Sequence, residues 1–296
     1  MGSMASPGKQ AITPPAEGAF RTSDGVTLRF LDAGRGSPLL LLPGWSQTAA
    51  MYRRQLDTFS ATHRVIALDW RGHGASEKAA HGYRVSRFAA DLHEFLRGED
   101  LHDVVALGHS MGCAVLWAYW NLFGRERLRA LVLVDQPPMH LPLPGWSEEE
   151  RARAGCVMTE ESLAALLAGL LDADADQAAV TRSFLRTMLL PTVSSEELEF
   201  LVGENLKLPR EAAARLLKDT ACADWRDLIP QIDVPTLVVS GAAGHVPLAS
   251  QEWIRDQIPG AQLAAFGATE GGSHFVFREG AEPFNRALRG FLDSLD

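Results

Sequence analysis

Basic charge, cysteine and long apolar runs are all scarce in this chain of 296 residues. Lysine and arginine number 28 against 37 aspartates and glutamates, so the net charge is −9. Proteins that bind nucleic acid or an anionic membrane need a basic face, and we therefore expect neither as a partner. No apolar stretch reaches the roughly 18 residues that a membrane span requires.

The cysteines are three, an odd number, and their positions 113, 156 and 222 show no metal-binding or redox spacing. We expect reduced thiols, no metal site and a cytoplasmic protein. The first 18 residues lack the apolar segment of a secretory signal peptide. Residues 1–4 resemble the remnant of an expression tag, and we predict a disordered tail over residues 1–18.

The composition that remains, 46% hydrophobic and 22% charged, is typical of a globular protein. Short apolar runs that do not alternate recur along the chain, with helix-like stretches between them. Such runs indicate strands buried on both faces, as in a parallel sheet covered by helices. The pattern predicts an α/β fold with a hairpin turning at residues 23–25, strands at 39–42, 65–68, 104–107, 131–134, 237–239 and 262–266, and helices at 84–98, 112–123 and 283–295.

The strand pattern stops between Asp135 and Asp233. Amphipathic helical stretches replace it, at about 148–154, 160–171, 176–189, 195–206 and 209–219. We therefore predict a helical cap over residues 137–226, inserted after the sixth strand. The α/β core would comprise residues 19–136 and 227–296.

The pentad "GHSMG", residues 108–112, follows a predicted strand and opens a predicted helix. This is the context that the G-x-S-x-G motif requires, because a sharp strand-to-helix turn raises the serine hydroxyl above the sheet. Gly108 and Gly112 would let strand and helix approach that turn closely. We predict Ser110 as a nucleophile; the alternative is a serine in an ordinary glycine turn.

A serine hydroxyl needs a base, and the base needs a carboxylate that orients it. His274, between the last strand and the last helix, is the predicted base, with His73 and His109 as alternatives. The loop after the penultimate strand holds no acid. Asp135 directly follows an apolar run, so we predict that it orients His274; its alternative role is to cap the first turn of the insertion.

An oxyanion needs two backbone N–H donors. Met111, at the start of the helix after Ser110, would supply one. Trp45, in the loop "PGW" after the first parallel strand, would supply the other, unless it is only a core aromatic. The expected substrate contacts lie in these loops and at the start of the cap: Gln47, His109, Met139, His140 and Trp146.

Four segments carry a family resemblance: "LLLLPGW" at 39–45, "LDWRGHGASE" at 68–77, "GHSMG", and "GGSHF" at 271–275. Through them the chain resembles the α/β-hydrolase superfamily over nearly its whole length. The resemblance implies a capped serine hydrolase without metal or cofactor. Two positions depart from the family pattern. The loop after the penultimate strand, where most members carry the acid, has none here; a minority of members carry it one strand earlier, which matches Asp135. In the oxyanion loop, Pro43 stands where the family usually has a histidine before the glycine.

The tryptophan loop and the early acid also resemble a smaller branch, the cofactor-free dioxygenases that open 3-hydroxy-4-oxoquinoline rings. Gln47 stands where that branch carries histidine, and Gly108 where it lacks glycine. The first hypothesis is thus a carboxylesterase or lactonase for a small apolar or amphipathic substrate, acting through an acyl-enzyme. The alternatives are such a dioxygenase or a non-catalytic ligand sensor. The oligomeric state stays open, with a homodimer as one option.

Overall fold

A computed structural model of the protein describes residues 14–295. Its eight strands form one sheet in the order β1-β2-β4-β3-β5-β6-β7-β8. β1 and β2 form an antiparallel hairpin, β2 runs antiparallel to β4, and the other neighbours are parallel. The strands are β1 (Ala16–Arg21), β2 (Thr27–Ala33), β3 (Pro38–Leu42), β4 (Arg64–Asp69), β5 (Val104–His109), β6 (Leu128–Val134), β7 (Thr236–Gly241) and β8 (Gln262–Phe266).

Helices cover both faces of the sheet and fill the insertion between β6 and β7. In the core they are α1 (Arg53–Phe59), α2 (Val85–Gly98), α3 (Met111–Phe123), α9 (Leu248–Gln257), α10 (Val276–Glu279) and α11 (Ala281–Asp293). In the insertion they are α4 (Glu148–Ala154), α5 (Glu160–Leu171), α6 (Gln177–Arg186), α7 (Ser195–Asn205) and α8 (Arg210–Ala221).

Alternate residues of the central strands enter two apolar clusters on opposite faces of the sheet. Leu40 and Leu42 of β3 pack in one cluster with α2 and α3, whereas Leu39 and Leu41 pack in the other with α1 and α11. Both faces are therefore dry, and the strand reads as a continuous apolar run. The predicted α/β fold with a mostly parallel sheet is confirmed.

The insertion that follows the sixth strand is helical, and it is called the cap below. α5 packs against α8 and α6 against α7, while α4 packs against α9 of the core. Side chains at four helix starts accept hydrogen bonds from the first turn, and these N-caps are Ser147, Thr159, Asp176 and Ser194. Such caps explain why the first two cap helices begin where the sequence predicts. Within residues 14–295, no helix combines the length and apolarity that crossing a bilayer demands.

The predicted boundary of the tail is wrong by three residues. β1 begins at Ala16, which pairs with Asp32 of β2. The side chains of this edge strand are mostly exposed, so no apolar pattern marks it, and backbone pairing alone extends it. Residues 1–13, including the tag-like residues 1–4, lie outside the described residues.

A buried ion pair fixes the loop after β4 to α2. Arg71 and Asp91 are both fully buried, and two hydrogen bonds of 2.6 and 2.7 Å join them. Asp24, which is partly exposed, approaches the same guanidinium at 3.0 Å. Removing Asp91 would leave the buried guanidinium paired only with the partly exposed Asp24, so most of the compensation of its charge would be lost.

We therefore expect Asp91→Ala to lower the free energy of unfolding by about 3–5 kcal/mol. Asp57→Ala is the control, because it breaks an exposed pair with Arg53 and should cost less than about 1 kcal/mol. Denaturant titration of both variants measures the difference. If the two variants lost the same free energy of unfolding, the buried Arg71–Asp91 pair would stabilise the fold no more than an exposed pair.

Candidate active site

Three non-glycine residues with left-handed backbone lie at the carboxyl edge of the sheet, where open α/β folds bind ligands. Ser46 (φ 57°) is in the loop after β3, Ser110 (φ 52°) follows β5 and Asp135 (φ 50°) follows β6. A conformation of this kind costs about 1–3 kcal/mol and persists only where its surroundings hold it. Two of the three are residues that the sequence singled out for chemistry.

Ser110 sits at the turn between β5 and α3. Its N–H donates to the carbonyl of Val134 at 2.9 Å, which ties the turn to the neighbouring strand. A Cβ at Gly112 would collide with the carbonyl oxygen of Leu42, and one at Gly108 would lie 2.6 Å from the nitrogen of Cys113. Both glycines are therefore required by the close approach of strand and helix.

Gly112→Ala should destabilise the protein by about 1–3 kcal/mol, because backbone atoms must shift to admit the methyl group. Gly203→Ala in α7 is a matched control, since nothing lies within 4 Å of a Cβ there. It should stabilise the helix by about 0.5–1 kcal/mol. Thermal and denaturant unfolding of the two variants test this, and a neutral Gly112→Ala would contradict the packing argument.

Asp135 and His274 meet at this edge of the sheet. Nδ1 of His274 lies 2.8 Å from one carboxylate oxygen of Asp135, and the N–H of Gly241 donates to the other oxygen at 2.8 Å. A Cβ at Gly241 would collide with the carbonyl of Ser273, so the glycine lets the loop of His274 pass directly over the end of β7. That passage brings the imidazole across to an acid on β6.

Burial governs the charge of this pair. It raises the pKa of Asp135 to about 7, partly offset by the hydrogen bond from Gly241, and it lowers the pKa of His274 to about 3. In each case the charged form loses hydration. A neutral imidazole donates Nδ1–H to Asp135 and keeps a lone pair on Nε2. Among the described residues Nε2 has no hydrogen-bond partner, and no hydrogen bond joins it to the hydroxyl of Ser110, although both residues line one cavity.

The two predicted oxyanion donors line the same cavity as Ser110. In the described part of the chain, neither the N–H of Trp45 nor that of Met111 has a hydrogen-bond acceptor. The indole of Trp45 donates to the carbonyl of Ala213 in α8 at 2.8 Å and meets Phe184 edge-on. Trp45 is thus a buried aromatic whose side chain anchors its loop to the cap, while its N–H stays available.

His73 contacts the loop of Trp45 through a hydrogen bond to Ser46. Its Nδ1–H donates to the carbonyl of Arg71 at 3.0 Å, and its Nε2 accepts from the N–H of Ser46 at 3.1 Å. Burial lowers the pKa of His73 to about 3, which suits a neutral ring with one donor and one acceptor. Because both nitrogens are engaged, His73 is not available as a base.

The structure corrects the expected role of His109. This ring is fully buried and absent from the cavity wall, because the residue belongs to β5 and faces the neighbouring loops. Nδ1 lies 2.8 Å from Oε1 of Gln47, and Nε2 lies 2.8 Å from the carbonyl oxygen of His274. Gln47 also accepts from the N–H of Gly44 at 3.1 Å. His109 therefore links the loop of Trp45 to the loop of His274.

The cavity has a volume of about 800 Å³ and lies between the sheet edge and the cap. Of the expected substrate contacts, Gln47 and His140 line this cavity, whereas Met139 and Trp146 do not. Met139 forms an isolated antiparallel bridge with Asp224 and is buried outside the cavity wall. Trp146 stacks on Arg226 at 4.7 Å, outside the cavity.

Sequence reasoning missed His245 and Gln136, which line the cavity beside His274. The loop of His245 contains no acid, but its position after β7 places this histidine at the carboxyl edge of the sheet. Rings of His245 and His274 lie 4.8 Å apart. Among residues 14–295 no group of three or more His, Cys, Asp or Glu is arranged to hold a metal ion.

Comparisons with known proteins agree with this architecture. Residues 37–281 match the family model of the alpha/beta hydrolase fold, and the chain therefore belongs to the α/β-hydrolase family. It is 31% identical over 281 residues to the non-heme chloroperoxidase CPO-A1 of Kitasatospora aureofaciens, covering 92% of this chain and 98% of that protein.

Solved structures share the fold. The esterase RhEst1 from Rhodococcus sp. ECU1013 superposes with a TM-score of 0.78 at 25% identity, covering 96% of this chain and all of that chain. A bromoperoxidase from Bacillus anthracis superposes with a TM-score of 0.84 at 22% identity, over 94% of this chain and all of that chain.

Proposed function

We propose that this protein is a serine hydrolase of uncharged, largely apolar esters or lactones. The hydrogen bond of 2.8 Å between His274 and Asp135 carries the proposal, because it orients an imidazole at the cavity that Ser110 also lines. The esterase RhEst1, which has the same fold, supports it. The relative CPO-A1 is named for a different reaction, that of a chloroperoxidase.

In the proposed reaction, Nε2 of His274 accepts the proton of Ser110 as its oxygen attacks the substrate carbonyl. Asp135 stabilises the imidazolium that forms, and the N–H groups of Trp45 and Met111 stabilise the oxyanion. The protonated His274 then gives its proton to the leaving alkoxide, which leaves an acyl group on Ser110. A water molecule, activated by the same imidazole, hydrolyses the acyl-enzyme.

The cavity wall argues for an uncharged substrate. Among the residues that the structure describes, none of those lining the cavity is a lysine, arginine, aspartate or glutamate. Burying an ionic group there would cost far more than burying a neutral one, because no opposite charge compensates it. On the cap side the wall is apolar, with Leu166, Val180, Phe184 and Leu217, which suits a hydrocarbon portion of the substrate.

Ser110→Ala should abolish hydrolysis of a chromogenic short-chain ester and labelling by a fluorophosphonate, since both need the activated hydroxyl. Ser37→Ala, at an exposed position at the opposite edge of the sheet, should leave both unchanged. Initial rates and in-gel fluorescence provide the measurement. Full turnover by Ser110→Ala would overturn the acyl-enzyme mechanism.

Asp135→Asn should lower kcat roughly 10⁴-fold, because an amide favours the wrong tautomer of the base. Asp233→Asn, an exposed acid in the linker before β7, should retain the activity. Steady-state kinetics are compared with unfolding curves, which show whether the variant is folded. A folded Asp135→Asn enzyme with near-normal kcat would assign the role to a different carboxylate.

A second candidate is the cofactor-free dioxygenase chemistry of the 3-hydroxy-4-oxoquinoline branch. It is favoured by one observation: the His274–Asp135 pair is formed, while no hydrogen bond joins His274 to Ser110 in the described chain. The pair alone would then deprotonate the heteroaromatic hydroxyl. This function predicts that the protein consumes oxygen when a hydroxyquinolone is added, and that the Ser110→Ala variant still does so. Saturable binding of a ligand without any turnover would instead indicate a ligand sensor.

A further inference from the structure

Two further imidazoles lie beside the proposed base. His245 follows β7, and its ring centre is 4.8 Å from that of His274, with the planes at 66°. His140 comes from the first residues of the cap and lines the same cavity. The proposed hydrolysis uses neither ring, although both line the cavity that Ser110 and His274 also line.

Both rings lack protein partners. In the described chain no hydrogen bond reaches a ring nitrogen of His140 or His245, and Nδ1 of His245 is buried without any partner. The side-chain oxygen Oε1 of Gln136, which follows Asp135 and lines the cavity, is also buried and unpaired. A buried polar atom without a partner costs about 1–3 kcal/mol, so a ligand that supplies one would remove that cost.

The charge of the site restricts what this ligand can be. Burial lowers the pKa of His140 to about 4 and that of His245 to about 3, so both rings are neutral near pH 7. A neutral imidazole offers one N–H donor and one acceptor nitrogen, and Gln136 adds an acceptor oxygen. A hydroxyl group, which both donates and accepts, matches this set, whereas a carboxylate would find no cation.

We propose that His140, His245 and Gln136 form a subsite for a hydroxyl group on the acyl portion of the substrate, close to the scissile carbonyl. The substrates would then be hydroxy esters or hydroxy lactones with an apolar tail toward the cap. This inference rests on the proposed hydrolase function and adds to it the class of acyl group.

The test compares ethyl 3-hydroxybutanoate with ethyl butanoate as substrates of the whole protein, with proton release followed in a pH-stat. The measured quantity is the ratio of kcat/KM for the hydroxylated ester to kcat/KM for the plain ester. Comparing this ratio between variants cancels the intrinsic reactivity of each ester. Hydrolysis of the plain ester reports that a variant is folded and active.

We expect His245→Phe and His140→Phe each to lower this ratio about tenfold, the effect of losing one hydrogen bond of about 1.4 kcal/mol. His245→Gln, which keeps a donor and an acceptor, should restore part of the ratio. Ser183→Ala, at a polar cavity position in α6, should leave the ratio unchanged. A merely structural role would lower both rates together and leave the ratio constant.

The two proposals fail in different ways. If the wild-type protein hydrolyses neither ester, the hydrolase function itself is wrong. If it hydrolyses both but the ratio is the same in wild type, His245→Phe and His140→Phe, only the hydroxyl subsite is overturned. A ratio that falls in Ser183→Ala instead would place the hydroxyl group at the cap and also overturn the subsite.

Discussion

The hydrogen bond between His274 and Asp135 depends on a close approach of backbone that only glycine permits. The loop of His274 crosses the end of β7 at Gly241, where a side chain would strike the carbonyl of Ser273. Gly241 also donates its N–H to the carboxylate, so one residue both opens the passage and holds the acid. Because the acid follows β6, the imidazole must reach one strand further across the sheet than it would to an acid that follows β7. The empty acid position after β7 is therefore compatible with a complete histidine–carboxylate pair.

Around this pair, the structure uses neutral buried histidines as connectors. His73 supports the loop of Trp45 through Ser46. His109 lies between Oε1 of Gln47 and the carbonyl oxygen of His274, and a neutral ring can donate to only one of these two oxygens. Each of these rings is desolvated, and burial holds the pKa of both His73 and His109 below the ordinary value. Rings that stay uncharged can hold backbone groups in place without adding charge beside the reacting atoms. This fits a cavity whose own wall carries no ionic side chain.

Much of this arrangement could be predicted from the sequence, because strong local signals marked it. Non-alternating runs located the parallel strands, and the serine pentad and Asp135 followed two of them directly. The remainder required contacts between distant segments. Nothing in the local pattern indicated that His109 and Met139 would lie outside the cavity wall, or that Arg226 would stack on Trp146. The short helices α1 and α9 were also missed, since few of their residues are buried and the apolar period is weak.

The indole of Trp45 connects the catalytic edge to the cap, since it donates to Ala213 of α8. Ser46, the next residue, donates its hydroxyl to the carbonyl of Asn205 at the end of α7. The strand-end loop that presents an amide to the cavity is thus fastened to two cap helices by consecutive residues. A rigid-body opening of the cap would therefore have to break these two hydrogen bonds, or else move the N–H of Trp45 away from the cavity together with the cap.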